Sequence, residues 1–323
     1  MRRSKGMRQM RKRRGFTLTE ILVSVLIMGI VMSAVLTLFF SVFKSYEFHQ
    51  DIMEAKQRGQ IALAAIEPLV LNAALGMPVS TSDFQSAFSG LNILFPDDAD
   101  KQFAGPVQLA DDSGKRKTVP DVSGAYKDKI TGSQLWVVYG VPSGYGNSNN
   151  GITEFNQGDQ EDIVLAPDTF DSLKNGLSNV VNNFKSWITF PGNKYPLLIT
   201  SDPGDLSSVN NKLKVKSFKK QSVFRNDELL YVRAAKIKAN NGNLHIAFLM
   251  ETSEVFQPVV EGIFGLQSVY DPEGSRVLTV TVLARADTMR SELNTTSVDG
   301  WTGIIPNNKY RYAAVSKSWR IRN

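Results

Sequence analysis

The chain has 323 residues, 42% of them apolar and 21% charged, with a formal net charge of +6; that length and apolar share allow one large or two modest folded domains and exclude a disordered protein. It contains no cysteine and only two histidines, His49 and His245, which excludes a disulfide framework and a Cys-based metal site and leaves nucleophilic or metal catalysis short of its usual ingredients. The positive charge is concentrated at the front. Residues 1–14 hold eight bases (Arg2, Arg3, Lys5, Arg8, Arg11, Lys12, Arg13, Arg14) and no acid, so the rest of the chain carries 29 bases against 31 acids and is close to neutral.

Behind this basic stretch, Ile21 to Phe43 contains no charged residue. Twenty-three residues rise about 35 Å as a helix, enough to cross a bilayer core once. The bases in front, with only Lys44 directly behind, predict a cytoplasmic N-terminus and translocation of everything after Lys44. A cleaved secretory signal fits poorly, because the apolar run is too long and its best small-residue site, near Ser33 and Ala34, falls inside it. A permanent signal anchor explains hydropathy and orientation but not Gly15-Phe16, nor the acid Glu20 just inside the apolar run. One local reason for Glu20 is visible. Thr17-Leu18-Thr19-Glu20 has capping-box spacing, in which Thr17 caps the helix and Glu20 reaches back to the chain start, and the helix dipole favours an acid in the first turn. Near the helix end the desolvation cost is also smaller than at the bilayer centre.

After Lys44, Ile52, Ala55, Gly59, Ala62, Ile66 and Leu69 recur at helical spacing, opposite Glu54, Lys56, Gln57, Arg58 and Gln60. The pattern predicts one helix from Phe16 to about Glu67, with Pro68 ending or kinking it. Its apolar stripe is expected to pack on the chain's own sheet, with a partner helix as the sharper alternative. From about Asn72 to Ile130 the composition predicts loops with short elements between them. Strand-like runs follow at 134–140, 162–166, 186–190, 197–201, 212–218, 228–238, 244–250, 276–285 and 310–321, with turn signals at 239–243 and 271–274. The class is α+β, a long helix on mainly antiparallel sheet.

Two stretches carry candidate binding chemistry. Lys212, Lys214 and Lys216 alternate with Leu213, Val215 and Ser217, and Lys219 and Lys220 follow. The plain reading is a half-buried strand with a solvated lysine face, where edge lysines discourage aggregation; the sharper one is contact with a polyanion such as DNA, or with a surface. Asp159, Glu161 and Asp162 end a Gly- and Asn-rich stretch that reads as an exposed loop without the ligand spacing of an EF-hand, so calcium stays a minor alternative. No Walker A sequence, Gly-x-Ser-x-Gly elbow or His-Glu-x-x-His pattern occurs. His245 sits among apolar neighbours in a strand-like run and reads as a satisfied sheet histidine.

"RGFTLTEILV" (14–23) resembles the cleavage motif of type IV prepilins and of type II secretion pseudopilins. The resemblance implies that a dedicated peptidase cuts after Gly15, that the new amine on Phe16 is methylated, and that Glu20 pairs with a neighbouring subunit's N-terminus inside a filament. The layout of "ELLYVRAAKI", "PVVEGIFGLQSVYD", "RVLTVTVLARAD" and a closing "SWRIRN" resembles PilW-type minor pilins, and in part the generally shorter J-type pseudopilins; residues 70–225 match neither. Many major pilins carry a proline partway along the membrane half of this helix, and none lies between Phe16 and Glu67 here. Gly29 alone weakens the apolar run, which suits a minor subunit. The implied organisation is a pilin-like fold with a cleaved leader 1–15, a transmembrane and filament-core helix 16–43, its amphipathic continuation 44–70 and a β-rich extracytoplasmic domain 71–323. Implied partners are prepilin peptidase, other minor pilins, the major pilin and an inner-membrane assembly platform. No enzymatic activity, cofactor or metal is expected, nucleic-acid binding is not favoured, and a J-type pseudopilin or a membrane-anchored DNA- or surface-binding module are the alternatives.

Overall fold

The computed structural model describes residues 16–322 apart from positions 90, 92–93, 118–128, 148–151, 166–186, 201–211, 250–253 and 273. The described residues divide into two units, one up to Gln50 and one from Asp51 onward. Helix α1 (Leu18–Leu71) belongs to both.

In the first unit α1 is a lone apolar helix. Among the described residues Leu22, Ile27, Val31, Leu36, Phe39 and Phe43 are all exposed, and the apolar window is long enough to cross a membrane. Two polar side chains within it are satisfied locally: the Ser24 hydroxyl donates to the Glu20 carbonyl at 2.7 Å and the Thr37 hydroxyl to the Ser33 carbonyl at 2.8 Å. Such i−4 bonds leave these donors satisfied without water.

In the second unit the same helix becomes one-sided. Ala55, Gly59, Ala62, Ile66 and Leu69 of the apolar stripe are buried and Ile52 is half-buried. Pro68 lies inside the helix rather than ending it. One turn from the C-terminus its missing N–H removes a single intrahelical bond, and the chain closes through Asn72 N–H to the Pro68 carbonyl and Ala73 N–H to the Val70 carbonyl.

Helix α2 (Thr81–Ala87) and a 3-10 turn (Ala99–Lys101) come next. The strands are β1 (Val107–Ala110), β2 (Ile130–Gly132), β3 (Gln134–Gly146), β4 (Thr153–Phe155), β5 (Gln160–Val164), β6 (Trp187–Thr189), β7 (Leu197–Ile199) and β8 (Lys212–Ser217), followed by β9 (Gln221–Val223), β10 (Glu228–Asn240), β11 (Asn243–Phe248), β12 (Phe256–Glu261), β13 (Ile263–Tyr270), β14 (Val277–Arg285) and β15 (Tyr312–Arg320). They pair antiparallel in a large sheet β1-β3-β10-β6-β7-β8-β5, a four-stranded sheet β15-β14-β13-β2 and a small β4-β9 pair. The thirteen-residue β10 lies along β3 on one side and divides its other side between β6, at Leu230 and Tyr231, and β11, from Ala235 onward. The α+β class follows: one long helix and mainly antiparallel sheet.

The helix and both larger sheets close on one core. Ala62, Ile66, Leu69 and Val70 meet Leu135, Val137 and Ile237 of the large sheet and Leu266, Leu278 and Val280 of the four-stranded one. A second apolar cluster under α2 gathers Phe84, Phe88, Phe103, Trp136 and Trp187, and a third gathers Phe155, Ile163, Phe190, Leu213 and Val215.

Each of the nine strand-like runs is a strand, trimmed or extended by a few residues. The turn at 239–243 is a two-residue hairpin with Asn241 and Gly242 at positive φ (49° and 78°), the geometry that favours Asn-Gly. Two details depart from the sequence reading. The acids 159–162 are not all loop, because Glu161 and Asp162 sit in β5 against β8. The lysine strand β8 is not an edge either, since it pairs with β7 on one side and β5 on the other. Strands β2, β4, β9, β12 and β13 stand where the sequence reading places no strand: β2, β4 and β9 have only three residues, β12 carries Pro258 and β13 is interrupted by Gly265; α2 and β1 are among the short elements expected between the loops of 72–130.

Candidate processing and assembly site

Gly15 lies outside the described residues. The structure begins at Phe16, which is 83% exposed, and Thr17, which precedes the first helical residue. Thr17 is the helix cap: its carbonyl accepts the Ile21 N–H at 3.2 Å, and its hydroxyl oxygen accepts the Glu20 N–H at 3.3 Å. Glu20 reciprocates, its Oε2 accepting the Thr17 N–H and the Thr17 hydroxyl, both at 3.0 Å. The capping box read from the sequence is therefore built, and it satisfies two N–H groups that the helix start would leave open.

The geometry has a chemical consequence. Both bonds from Thr17 fall on Oε2, and among the described residues Oε1 accepts none. The bonded amide is that of Thr17, one residue behind the position whose nitrogen a cut after Gly15 would free. The cap and a second, external partner for Glu20 are thus compatible on one carboxylate.

Residues 10–36 match the family model for the prokaryotic N-terminal methylation motif. The chain carries a type IV prepilin-like N-terminus. The match spans the last four bases before Gly15, the capping box and the apolar run as far as Leu36, less than a tenth of the chain. No curated protein and no solved structure matches the chain. The motif and the apolar helix behind it fit a single-pass membrane anchor.

The lysine candidates are placed apart from this site, in the second unit. Lys212 and Lys214 are exposed and Lys216 half-buried, while Leu213, Val215 and Ser217 point inward. Acids stand against this face: Lys214 lies opposite Asp162 across the β5–β8 ladder, and the Lys212 ammonium is 3.6 Å from the Asp162 carboxylate. Lys219 bonds Asp83 at 2.6 Å and lies over the Tyr195 ring, and that bond holds the Asp83 carboxyl below the ordinary range. Lys220 is exposed. Among the described residues no group of His, Asp and Glu is arranged to hold a metal. The His245 ring nitrogen Nδ1 lies 3.2 Å from the Asn243 carbonyl.

Sequence reasoning missed the polar contacts that hold residues 51–71 of α1 within the second unit. Asp51, 2% exposed, receives Arg290 in a fork (Nε at 3.0 Å, Nη2 at 3.1 Å), with Arg311 Nε at 3.4 Å. Arg58 donates to both carboxylate oxygens of Asp287 and also pairs with Glu54 one turn back. Glu67 accepts from Lys317 at 2.6 Å and from the Trp319 indole at 3.3 Å, and these two bonds lower its pKa. One signal was available: Asp51 stands four residues before Ala55 on the apolar stripe, where an acid needs a partner.

Proposed function

We propose that this protein is a minor pilin of the PilW type, which joins other minor pilins to initiate or cap a type IV filament. Prepilin peptidase cleaves it after Gly15 and methylates Phe16. The unprocessed chain spans the inner membrane once, leader in the cytoplasm and residues 71–323 outside it, before the assembly platform passes it to the filament beside the major pilin. The polyanion role of Lys212, Lys214, Lys216, Lys219 and Lys220 is not part of this reading, because acids already face Lys212, Lys214 and Lys219.

The observation that carries the proposal is the coincidence of the methylation motif with the built helix start. In this reading the free amine of a neighbouring subunit's Phe16 approaches the open Oε1 of Glu20 while Oε2 stays on Thr17. A buried carboxylate in an apolar filament core is then paired and hydrogen-bonded, the condition under which burial is tolerated. Mass spectrometry of the mature N-terminus tests the reading. A chain starting at N-methylated Phe16 is expected; an intact leader, or a start near Val35, overturns it.

A further inference from the structure

Most sheet edges in the second unit are short or blocked. The outer side of β1 is closed by residues 115–117, with the Lys117 N–H on the Leu109 carbonyl at 2.8 Å. Strand β12 carries Pro258 and is bulged against β11, two devices that discourage a further strand. Strand β2 has only three residues.

Strand β15 differs on every count. It is nine residues long, has no proline, and runs beside β14 without a register shift from Arg320 to Tyr312. Among the described strands it ends its sheet, pairing on one side only. The ladder's phase is fixed at both ends: the Ala286 N–H bonds the Arg311 carbonyl and the Ile321 N–H bonds the Arg276 carbonyl. Alternation then turns Ala313, Val315, Lys317 and Trp319 toward β14, and the N–H and C=O groups of Ala314, Ser316, Ser318 and Arg320 outward. Residues 316–318 and 320 are exposed, and no other described strand takes up their outward groups. The flanking side chains Ala314, Ser316 and Ser318 are small enough for another backbone to approach.

Charge indicates what fits there. From Gly300 to the C-terminus the chain has five bases (Lys309, Arg311, Lys317, Arg320, Arg322) and no acid. Arg311 and Lys317 are engaged by Asp51 and Glu67, whereas Arg320 and Arg322 form no ion pair among the described residues. Two copies of β15 side by side would bring like charges together, so self-pairing is opposed.

We propose that β15 is an assembly edge that accepts an extended, acid-bearing segment of a different filament subunit as an added strand. Main-chain bonds from Ala314, Ser316, Ser318 and Arg320 supply the affinity, and Arg320 and Arg322 select the acidic partner. This rests on the filament reading, and its test separates the two.

Amide hydrogen exchange is compared between the full-length chain alone in detergent and the same chain within isolated filaments. The expected result is at least tenfold slower exchange at Ala314, Ser316, Ser318 and Arg320 on assembly, with the inward amides of Ala313, Val315 and Lys317 slow in both samples. Ser316→Pro removes an outward donor and leaves the main-chain ladder to β14 intact, losing, as Ser316→Ala does, the hydroxyl contact to Thr281 at 2.8 Å; it should melt like Ser316→Ala yet be lost from filaments, while Ser316→Ala is retained. Filaments that contain the chain but leave those amides fast, or that accept Ser316→Pro at the parental level, overturn the edge and leave the filament reading standing. Cross-linking of Ser318→Cys only to other copies of this chain overturns the acidic partner. A chain that is never cleaved and never enters filaments overturns both.

Discussion

Replacing Gly59 by alanine sets two well-characterised effects against each other. In the interior of a helix the change should stabilise by about 1 kcal/mol, because glycine carries the larger entropy loss. Here the added Cβ would lie 2.6 Å from Val315 Cγ2, 3.0 Å from Val315 Cβ and 3.5 Å from Val282 Cγ2, where carbon pairs normally rest about 3.5–4.0 Å apart. Val315 is β-branched and held in the ladder opposite Val282, so its side chain cannot swing aside and the helix must lift. Overpacking of this kind costs about 1–3 kcal/mol. The expected net is a loss of about 1 kcal/mol, or about 2–4 °C in Tm for a domain of this size. Val315→Ala alone should also destabilise, by about 1 kcal/mol for a half-buried pair of methyl groups. In the double variant the 2.6 Å clash with Cγ2 is gone, the tighter-than-normal 3.0 Å approach to the Cβ at 315 is left and the helix propensity remains, so the double variant should be less destabilised than the sum of the two single changes. Urea unfolding of the full-length chain in detergent, followed by tryptophan fluorescence, reads all four corners of the cycle. The packing argument fails if Gly59→Ala by itself raises the midpoint, or if the two substitutions simply add.

Asp51→Asn keeps the shape of the buried side chain but removes the charge that Arg290 and Arg311 pair with; a loss of about 3 kcal/mol is expected in the same assay, with loosening of the 286–311 segment visible by limited proteolysis. The pKa of Glu67 is lowered by Lys317 and Trp319, and that of Asp287 by Arg58. Their contribution to stability is therefore full above the unfolded carboxylate pKa and is lost as pH falls through the lowered folded values. Tm should drop between about pH 5 and pH 2, and Glu67→Gln should be less stable than the parent at pH 7 while converging on it at the acid end; a constant gap at every pH would contradict the assignment. At the N-terminus, Thr17→Ala removes the hydroxyl of the cap, worth about 1 kcal/mol of helix stability, but leaves the Glu20 carboxylate, so incorporation into filaments should persist. Glu20→Ala should abolish incorporation with leader cleavage intact, and equal co-assembly of both variants by cross-linking would remove the pairing role from Glu20.

What could be read from the sequence was what is local. The charge switch at Gly15-Phe16, the Thr17–Glu20 spacing and the stripe Ala55-Gly59-Ala62-Ile66 each lie within a few residues, so their physics is written consecutively. Strands such as β10 and β14 announce themselves through β-branched and apolar runs. Pairing across the chain leaves no such trace. Nothing near Ile130–Gly132 says that it will lie along Ser268–Tyr270, and Pro258 argues against a strand that forms only because β11 offers it an edge. Asp51 shows the boundary well: its anomaly was visible on the apolar stripe, but its arginines stand 239 and 260 residues away.

Those remote partners share a location. The ion pairs by which Asp51, Arg58 and Glu67 hold residues 51–71 of the helix within the second unit lead to Arg290, Arg311, Asp287 and Lys317, all within one C-terminal stretch that ends in β15. The same strand packs Val315 against Gly59 and faces Lys317 and Trp319 toward Glu67. One face of β15 is thereby spent on the chain's own helix, and the helix constrains its position along about 24 Å, from Asp51 to Glu67. An edge held that rigidly loses little further entropy when a neighbour's strand is added, which is the condition under which a few main-chain hydrogen bonds suffice for assembly. Releasing the clasp should consequently weaken the edge: in Asp51→Asn the outward amides of β15 would take up a neighbouring strand less readily, and the tenfold protection expected on assembly should shrink even though no residue of the edge has changed.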